Sequence, residues 1–490
     1  MSELKRCQEK NGNGWAGSSP EKYLHWLAQG KPTWAPQYVH HKTLMGLVDM
    51  YTLAGNTEAL EIADQFADWF YRWTLAFSRE KMDDILDVET GGMLEVWANL
   101  YDATGDPKYL ALIEKYTRAR LFDPLMDGCD MLTNRHANTT IPEVQGAARA
   151  YEVTGDERWR QIVEAYWRSA VTDRGMYCTG GQTCGEVWTP PFKLSARLGD
   201  KNQEHCTVYN MIRLADYLFR WTGEPVYADY IERNLYNGIL AQQNPRTGMV
   251  AYFLPLEAGA RKVRGSRTYD FWCCHGSLVQ AHAMHNALVY YEDEAGIVVC
   301  QYIPAVLQTH RDGVAVSIRQ SRADSAEDHH CPAVWRLAFQ VTCEKPVEFT
   351  LKLRSPWWLS GEPSVVVNGE NLPAHQGASE WLSIRRAWTH DTLTLELPKG
   401  LYVSPLPDAP DVCAFTDGPM VLGGLCSDER TLVGNKDNVS SMLVPDNERE
   451  WGNWLPGYRA RHQAQGLRFK PLYEITGKAY TVYFPIVASH

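Results

Sequence analysis

The sequence predicts a closed α/α toroid followed by antiparallel β-sandwich modules. Three observations carry this: a repeated helical-hairpin corner in the first half, a change to short alternating apolar runs after residue 295, and a composition that supports a large core. The chain has 490 residues, 44% of them hydrophobic and 22% charged, which excludes disorder and leaves room for two or three domains. A net charge of −11 with no block of Lys or Arg argues against a nucleic-acid partner. No apolar run approaches the roughly 18 residues of a membrane span, so no membrane partner is expected. The opening MSELKRCQEKNGNGWAG has no apolar core behind its charges, so a cytoplasmic protein is expected.

The hairpin repeat reads MYTLAGNTEAL, LYDATGDPKYL and AYEVTGDERWR. It places Tyr51, Tyr101 and Tyr151 four residues before Gly55, Gly105 and Gly155, and LFRWTGEPVYA is a fourth copy at Phe219 and Gly223. A helix that ends at glycine can take the left-handed conformation there without steric cost. The next residue, Asn56, Asp106 or Asp156, then caps the following helix, and Pro107 and Pro225 suit its first turn. Stacked hairpins bury each other's faces and close or must be capped. A superhelical array is the alternative to a closed ring.

The last helical pattern is LVQAHAMHNALVYY, Leu278 to Tyr291. From Gly296 the chain reads GIVVCQYI, GVAVSIRQ, WRLAFQVTC, VEFTLKLRS, PSVVVNG, WLSIRRAW and DTLTLELPKG, which are short β-branched runs with turn punctuation. VCAFTDGPMVLGG and AYTVYFPIV continue the strand signal. The expected domains are a helical catalytic domain over 1–295, a β-sandwich over 296–405, and a second sandwich or a continuation of the first over 406–490.

Polar and soft groups gather at the predicted starts of inner helices. His136 and Glu204 stand 15 residues before Tyr151 and Phe219, His41 stands 10 before Tyr51, and Cys273–Cys274 precede the final helix. Twelve cysteines without a secretory signal do not suggest a disulfide framework. QEHCTVYN and FWCCHG instead supply Glu204, His205, Cys206, Cys273, Cys274 and His275, and three thiolates with a carboxylate or imidazole fill a tetrahedral zinc shell. A structural zinc is the plain alternative to a catalytic one. In YCTGGQTCGEVWTPPF, Glu186 sits in a Gly- and Pro-rich loop beside Trp188, where an aromatic wall would raise its pKa as a general acid requires. Glu95 and Glu143, near other inner-helix starts, compete for that role. Eighteen tryptophans suit either a wet sugar site or a helical core.

TGGQTCGE, EHCTVYNM and WCCHG, in that order, resemble glycoside hydrolase family 127, typified by β-L-arabinofuranosidases. The resemblance runs from WAPQYVHHKTLMGLVDMYTLAGN to YTVYFPI and implies an (α/α)6 barrel with β-sandwich modules. It further implies zinc ligands Glu204, Cys206, Cys273 and Cys274, a nucleophile at Cys273 and a general acid/base at Glu186. His41, His136 and Tyr252 match residues that contact the sugar, and a rim tryptophan such as Trp188 would stack on it. Cys178 and Cys184, flanking the acid loop, depart from the pattern. The family also has an earlier helical hairpin with another sugar-binding histidine, which leaves open a barrel lacking its first hairpin. The implied activity is retaining exo-hydrolysis of β-L-arabinofuranosides or a related sugar, with Zn²⁺ as cofactor and a homodimer as one expected assembly. A degenerate sugar-binding toroid, an epimerase and an unsaturated-uronide hydrolase are the alternatives.

Overall fold

A computed structural model of the chain describes residues 1–323, 331–373, 377–446, 449–450, 453–454 and 457–488. They form two compact units, Met1–Gly175 and Met176–His490.

The first unit is built from helices, of which Pro36–Thr52, Thr57–Leu75, Met93–Thr104, Pro107–Lys115, Ala137–Thr154 and Glu157–Trp167 carry the repeat. Each corner forms as the sequence predicts. Gly105 has φ 68 and its N–H donates to the Tyr101 carbonyl, while the Asp106 carboxylate accepts from Lys108 N–H at 2.8 Å. Gly155 and Asp156 repeat this one hairpin later. Two helices, Ser2–Asn11 and Lys22–Ala28, precede the repeat and were not evident from apolar periodicity. The helix carrying His41 begins at Pro36, after Ala35 in a left-handed conformation, so His41 lies in its second turn and not at its start. Several tryptophans here fill the core, while Trp26 and Trp34 are exposed. Trp15, Phe66, Trp69, Phe70 and Trp97 pack edge to face or tilted, with ring centroids 4.6–5.6 Å apart.

The second unit opens with the loop that bears Glu186, then helices His205–Thr222 and Pro225–Asn234, the latter running on into a π-helical turn, Leu235–Leu240. The fourth corner closes between them, with Gly223 N–H donating to Phe219 at 2.7 Å. The final helix is Cys273–Met284; a 3₁₀ turn follows and Tyr290 already begins a strand, so the predicted helix to Tyr291 is too long. Its first turn starts earlier than the apolar pattern, at the cysteine pair itself.

Two eight-stranded sheets follow. In the first, four of the five runs between Trp335 and Gly400 form two long strands, Val334–Ser355 and Glu380–Pro398, paired antiparallel along their length. Their register shifts between the pairs Val347–Trp388 and Thr342–His390, so residues 343–346 lie opposite Thr389 alone. Such a bulge bends both strands and lets them pass from one layer to the other. Ile297, Val316, Leu337, Leu351 and Leu395 fill the space between the layers. Strand Gly296–Val299 pairs parallel to Val334–Ser355, the one parallel pairing in this sheet among the described residues. Ala305–Arg311 adds a strand that the sequence reading passed over. The second sheet holds Leu401–Leu406, Ala409–Asp417, Met420–Gly424, Arg468–Pro471 and Phe484–Val487 among others, over its own core of Phe415, Phe469 and Phe484.

A buried ion-pair network ties helix Pro225–Asn234 to the first sheet. Arg354 is wholly buried; its Nη1 donates to Asp229 and its Nη2 to Glu232 Oε1 at 2.6 Å. Glu232 also accepts from Trp358 Nε1 at 2.7 Å. Burying three charges is costly unless each is paired and hydrogen-bonded, as here.

Candidate active site

Two helix N-termini in the second unit bring the thiols together. Glu204 is the N-cap residue of His205–Thr222, yet its side chain makes no cap hydrogen bond. Its carboxylate instead lies 3.8 Å from Cys273 Sγ. Cys206 occupies the first turn of that helix, and Cys273 and Cys274 open the other. The Cys206 and Cys274 sulfurs are 3.5 Å apart. One turn beyond Cys273, Ser277 donates from Oγ to Cys206 Sγ at 3.0 Å, its hydroxyl 3.3 Å from the Cys273 carbonyl. Partial positive charge at both helix N-termini favours thiolates.

The donor atoms of Glu204, Cys206, Cys273 and Cys274 all lie within 4.8 Å of one another. Four donors bound tetrahedrally to zinc at about 2.0–2.3 Å would lie about 3.5–3.8 Å apart, so small adjustments suffice. Glu204, Cys206 and Cys274 are buried and Cys273 is half-buried. Hydrogen bonds from the Cys206 and Cys274 thiols, aided by Tyr252, hold the Cys273 thiol well below the usual thiol range. Burial pushes Cys206 and Cys274 well above the usual thiol range. A divalent cation bound by these donors would favour the ionised form of all three sulfurs. His205 is fully buried, and both its ring nitrogens lack a hydrogen-bond partner. Burial keeps this imidazole neutral, its pKa down to about 3. Neither His205 nor His275 joins the four-donor group.

Glu186 sits at the tip of a two-residue hairpin between Thr183–Cys184 and Val187–Trp188. Gly185 has φ 60 and Glu186 φ 67, the left-handed pair of a type I′ turn. Glycine is at ease there; a glutamate is not, and such strain is retained mainly where a side chain must be aimed. The Gly185 N–H donates to the Lys201 carbonyl at 2.8 Å, pinning the tip to the neighbouring loop. Glu186 Oε1 accepts a short hydrogen bond from Tyr252 Oη, which is also 4.0 Å from Cys273 Sγ. Burial and the surrounding negative groups raise the Tyr252 phenol far above its ordinary range, so it stays protonated. Trp188 is completely buried and leaves no ring face on which a sugar could stack. The expectation of Trp188 as a stacking platform is therefore corrected: it anchors the hairpin, and the partner of Glu186 is Tyr252. Cys178 is buried with its N–H bonded to Tyr483 Oη at 2.7 Å, a packing role, while Cys184 lies in the hairpin strand.

The first unit holds the other expected residues. His41 is buried, its ring set against Gly91, where a Cβ would come within 2.4 Å of Nδ1. His136 is the N-cap of Ala137–Thr154: its Nδ1 accepts from Thr139 N–H at 3.1 Å. That bond fixes the neutral tautomer with hydrogen on Nε2, a donor. Glu143 is engaged by Arg118 Nη1 at 3.0 Å in a buried pair, although burial pushes its carboxyl up to about 7. Its ion pair gives it a structural part. Glu95 is buried beneath Gly92.

A model of the β-L-arabinofuranosidase GH127 catalytic domain matches residues 1–287, and one of the GH127 middle domain matches residues 296–399. A solved GH127 β-L-arabinofuranosidase from Geobacillus stearothermophilus T6 is similar over 96% of this chain and 82% of its own, at 19% identity and a TM-score of 0.70. A solved GH127 β-arabinofuranosidase is similar over 94% of this chain and 79% of its own, at 20% identity and a TM-score of 0.73. The likeness shows the fold, helical hairpins followed by β-sheet modules. Among curated proteins nothing matches.

Proposed function

Because the chain belongs to the GH127 family of β-L-arabinofuranosidases, whose catalytic-domain model covers more than half of it, we propose that it is a retaining exo-acting β-L-arabinofuranosidase with Cys273 as nucleophile and Glu186 as acid/base. The family makes it a glycosidase acting on a carbohydrate; the sugar and the residue roles are this proposal. The observation that carries it is the chain of contacts from Cys273 Sγ through Tyr252 Oη to Glu186 Oε1. Two contacts in series keep the sulfur and the acid close to one another, which supports the short spacing of retaining enzymes (about 5–5.5 Å between the two groups) over the wider one that inversion needs for its water.

Cys273 sulfur attacks the anomeric carbon while protonated Glu186 gives its proton to the departing oxygen. The sulfur–carbon bond forms as the carbon–oxygen bond breaks, through an oxocarbenium-like state. Glu186, now a carboxylate, takes a proton from water, whose oxygen displaces the sulfur from the opposite face. Two inversions retain configuration. Tyr252 donates to one oxygen of Glu186, so the transferable proton resides on the other. Glu204, Cys206, Cys273 and Cys274 would hold a zinc ion, which would supply ionisation of the sulfurs and fix the aim of the nucleophile. His41, His136 and Tyr252 are read as partners of sugar hydroxyls, His136 through Nε2–H.

A panel of nitrophenyl glycosides, assayed with zinc and reductant, tests the reading. Hydrolysis of the β-L-arabinofuranoside above the other sugars is expected, with about one zinc per chain and loss of activity in chelator. Full activity in protein stripped of metal would contradict the zinc assignment. Silence across the panel would contradict the substrate.

A further inference from the structure

A cavity of about 600 Å³ opens beside the acid. Glu186, Tyr252 and Trp272 form one side of it, Phe253, Pro255 and Val263 its apolar wall, and Asp200, Lys201 and Arg261 its rim. It touches the acid but not Cys273. The sugar undergoing substitution must meet the sulfur, whereas the departing group must meet the acid's proton. The cavity therefore fits the departing group.

Its rim is charged in a particular way. The Lys201 backbone is held beside the acid, its carbonyl receiving the Gly185 N–H of the hairpin tip, and the residue lines the cavity. Arg261 is steadied by a hydrogen bond from Nη1 to the Gly477 carbonyl at 2.9 Å, which leaves its charge uncompensated. Among the described residues no ion pair engages either cation, and Asp200 is the single rim carboxylate beside the acid itself. Phe253, Val263 and Trp272 add apolar lining.

We propose that this cavity seats the leaving group and that Lys201 and Arg261 select one bearing a carboxylate, such as a uronic acid residue or an aromatic acid. The proposal rests on the glycosidase reading above. Charge recognition at an exposed rim is worth little per contact, so two contacts correspond to a preference of about 5-fold, screened by salt.

The test compares two aryl β-L-arabinofuranosides whose phenols have matched acidity, one with a carboxylate and one with a carboxamide. For the zinc-loaded protein the kcat/KM ratio of carboxylate to carboxamide should be about 5 at low salt. The ratio should fall toward one in 0.5 M NaCl and in the Lys201→Ala/Arg261→Ala double variant. A ratio near one in the unaltered protein, or a ratio that survives both changes, would overturn the proposal. If neither glycoside is cleaved, the glycone assignment fails instead, and binding decides this inference: the free carboxylated phenol should quench tryptophan fluorescence saturably, about 5-fold more weakly in the double variant. Equal affinity, or none, would reject it.

Discussion

Cys273 sits where three influences on a thiol coincide: a helix N-terminus, two neighbouring thiols that donate to it, and a tyrosine hydroxyl. Glu186 → Gln removes the acid and base together, so turnover of an alkyl glycoside should fall about 10²–10⁴-fold, and less for a nitrophenyl substrate whose leaving group needs no proton. Equal losses on both in steady-state assays would argue against the acid role. Tyr252→Phe should lower kcat more than it raises KM and displace the alkaline limb of the kcat/KM pH profile, because it removes the donor on Glu186, whose protonated form the first step needs. An unchanged profile would reduce Tyr252 to a packing residue. At this scale the four-donor group was legible, since Glu204, Cys206 and the cysteine pair stand at predicted helix starts. Ser277 was missed, although its position four residues after Cys273 on a helix was the available signal. Trp188 was misread because Glu186 lies in the left-handed turn tip and not in the strand, so a spacing of two residues does not set its carboxylate against the Trp188 ring.

The elements explain how such groups are held. A type I′ tip needs left-handed backbone at both residues, and Gly185 meets that need for its strained neighbour. Gly185→Ala should cost about 1 kcal/mol and lower kcat while zinc content stays constant; unchanged kcat would show that the tip does not aim the acid. In the hairpin corners, Asp106→Ala and Asp156→Ala should each cost about 1 kcal/mol in denaturant unfolding, and the two should add, since they cap different helices. The corners were legible because glycine and its capping follower are local features. The long strands were not: Glu344-Lys345-Pro346 looks like a turn, but the backbone bulges opposite Thr389 and continues. A bulge depends on the partner strand, which a single run does not reveal.

Across the molecule, the groups that set stability come from distant parts of the chain. Arg354 meets Asp229 and Glu232 across more than a hundred residues, so no local pattern foretells the network. Arg354→Ala strands two buried carboxylates and should cost about 3–5 kcal/mol in unfolding experiments. His40 is buried against Trp15 and Phe66, and burial lowers its pKa from the ordinary 6.5 to about 4. The native state resists the proton that the unfolded chain accepts, so this contribution is complete above pH 6.5 and is lost as pH falls toward 4. It amounts to about 3 kcal/mol at most, and His40→Gln should flatten that part of the stability–pH curve. The central claim is that Cys273 becomes glycosylated. Mass spectrometry of Glu186→Gln, quenched after mixing with an activated aryl β-L-arabinofuranoside, should find one pentosyl unit on the peptide containing Cys273 and none on the Cys273→Ser variant. A protein that releases the phenol in a burst while every cysteine stays unmodified would contradict it.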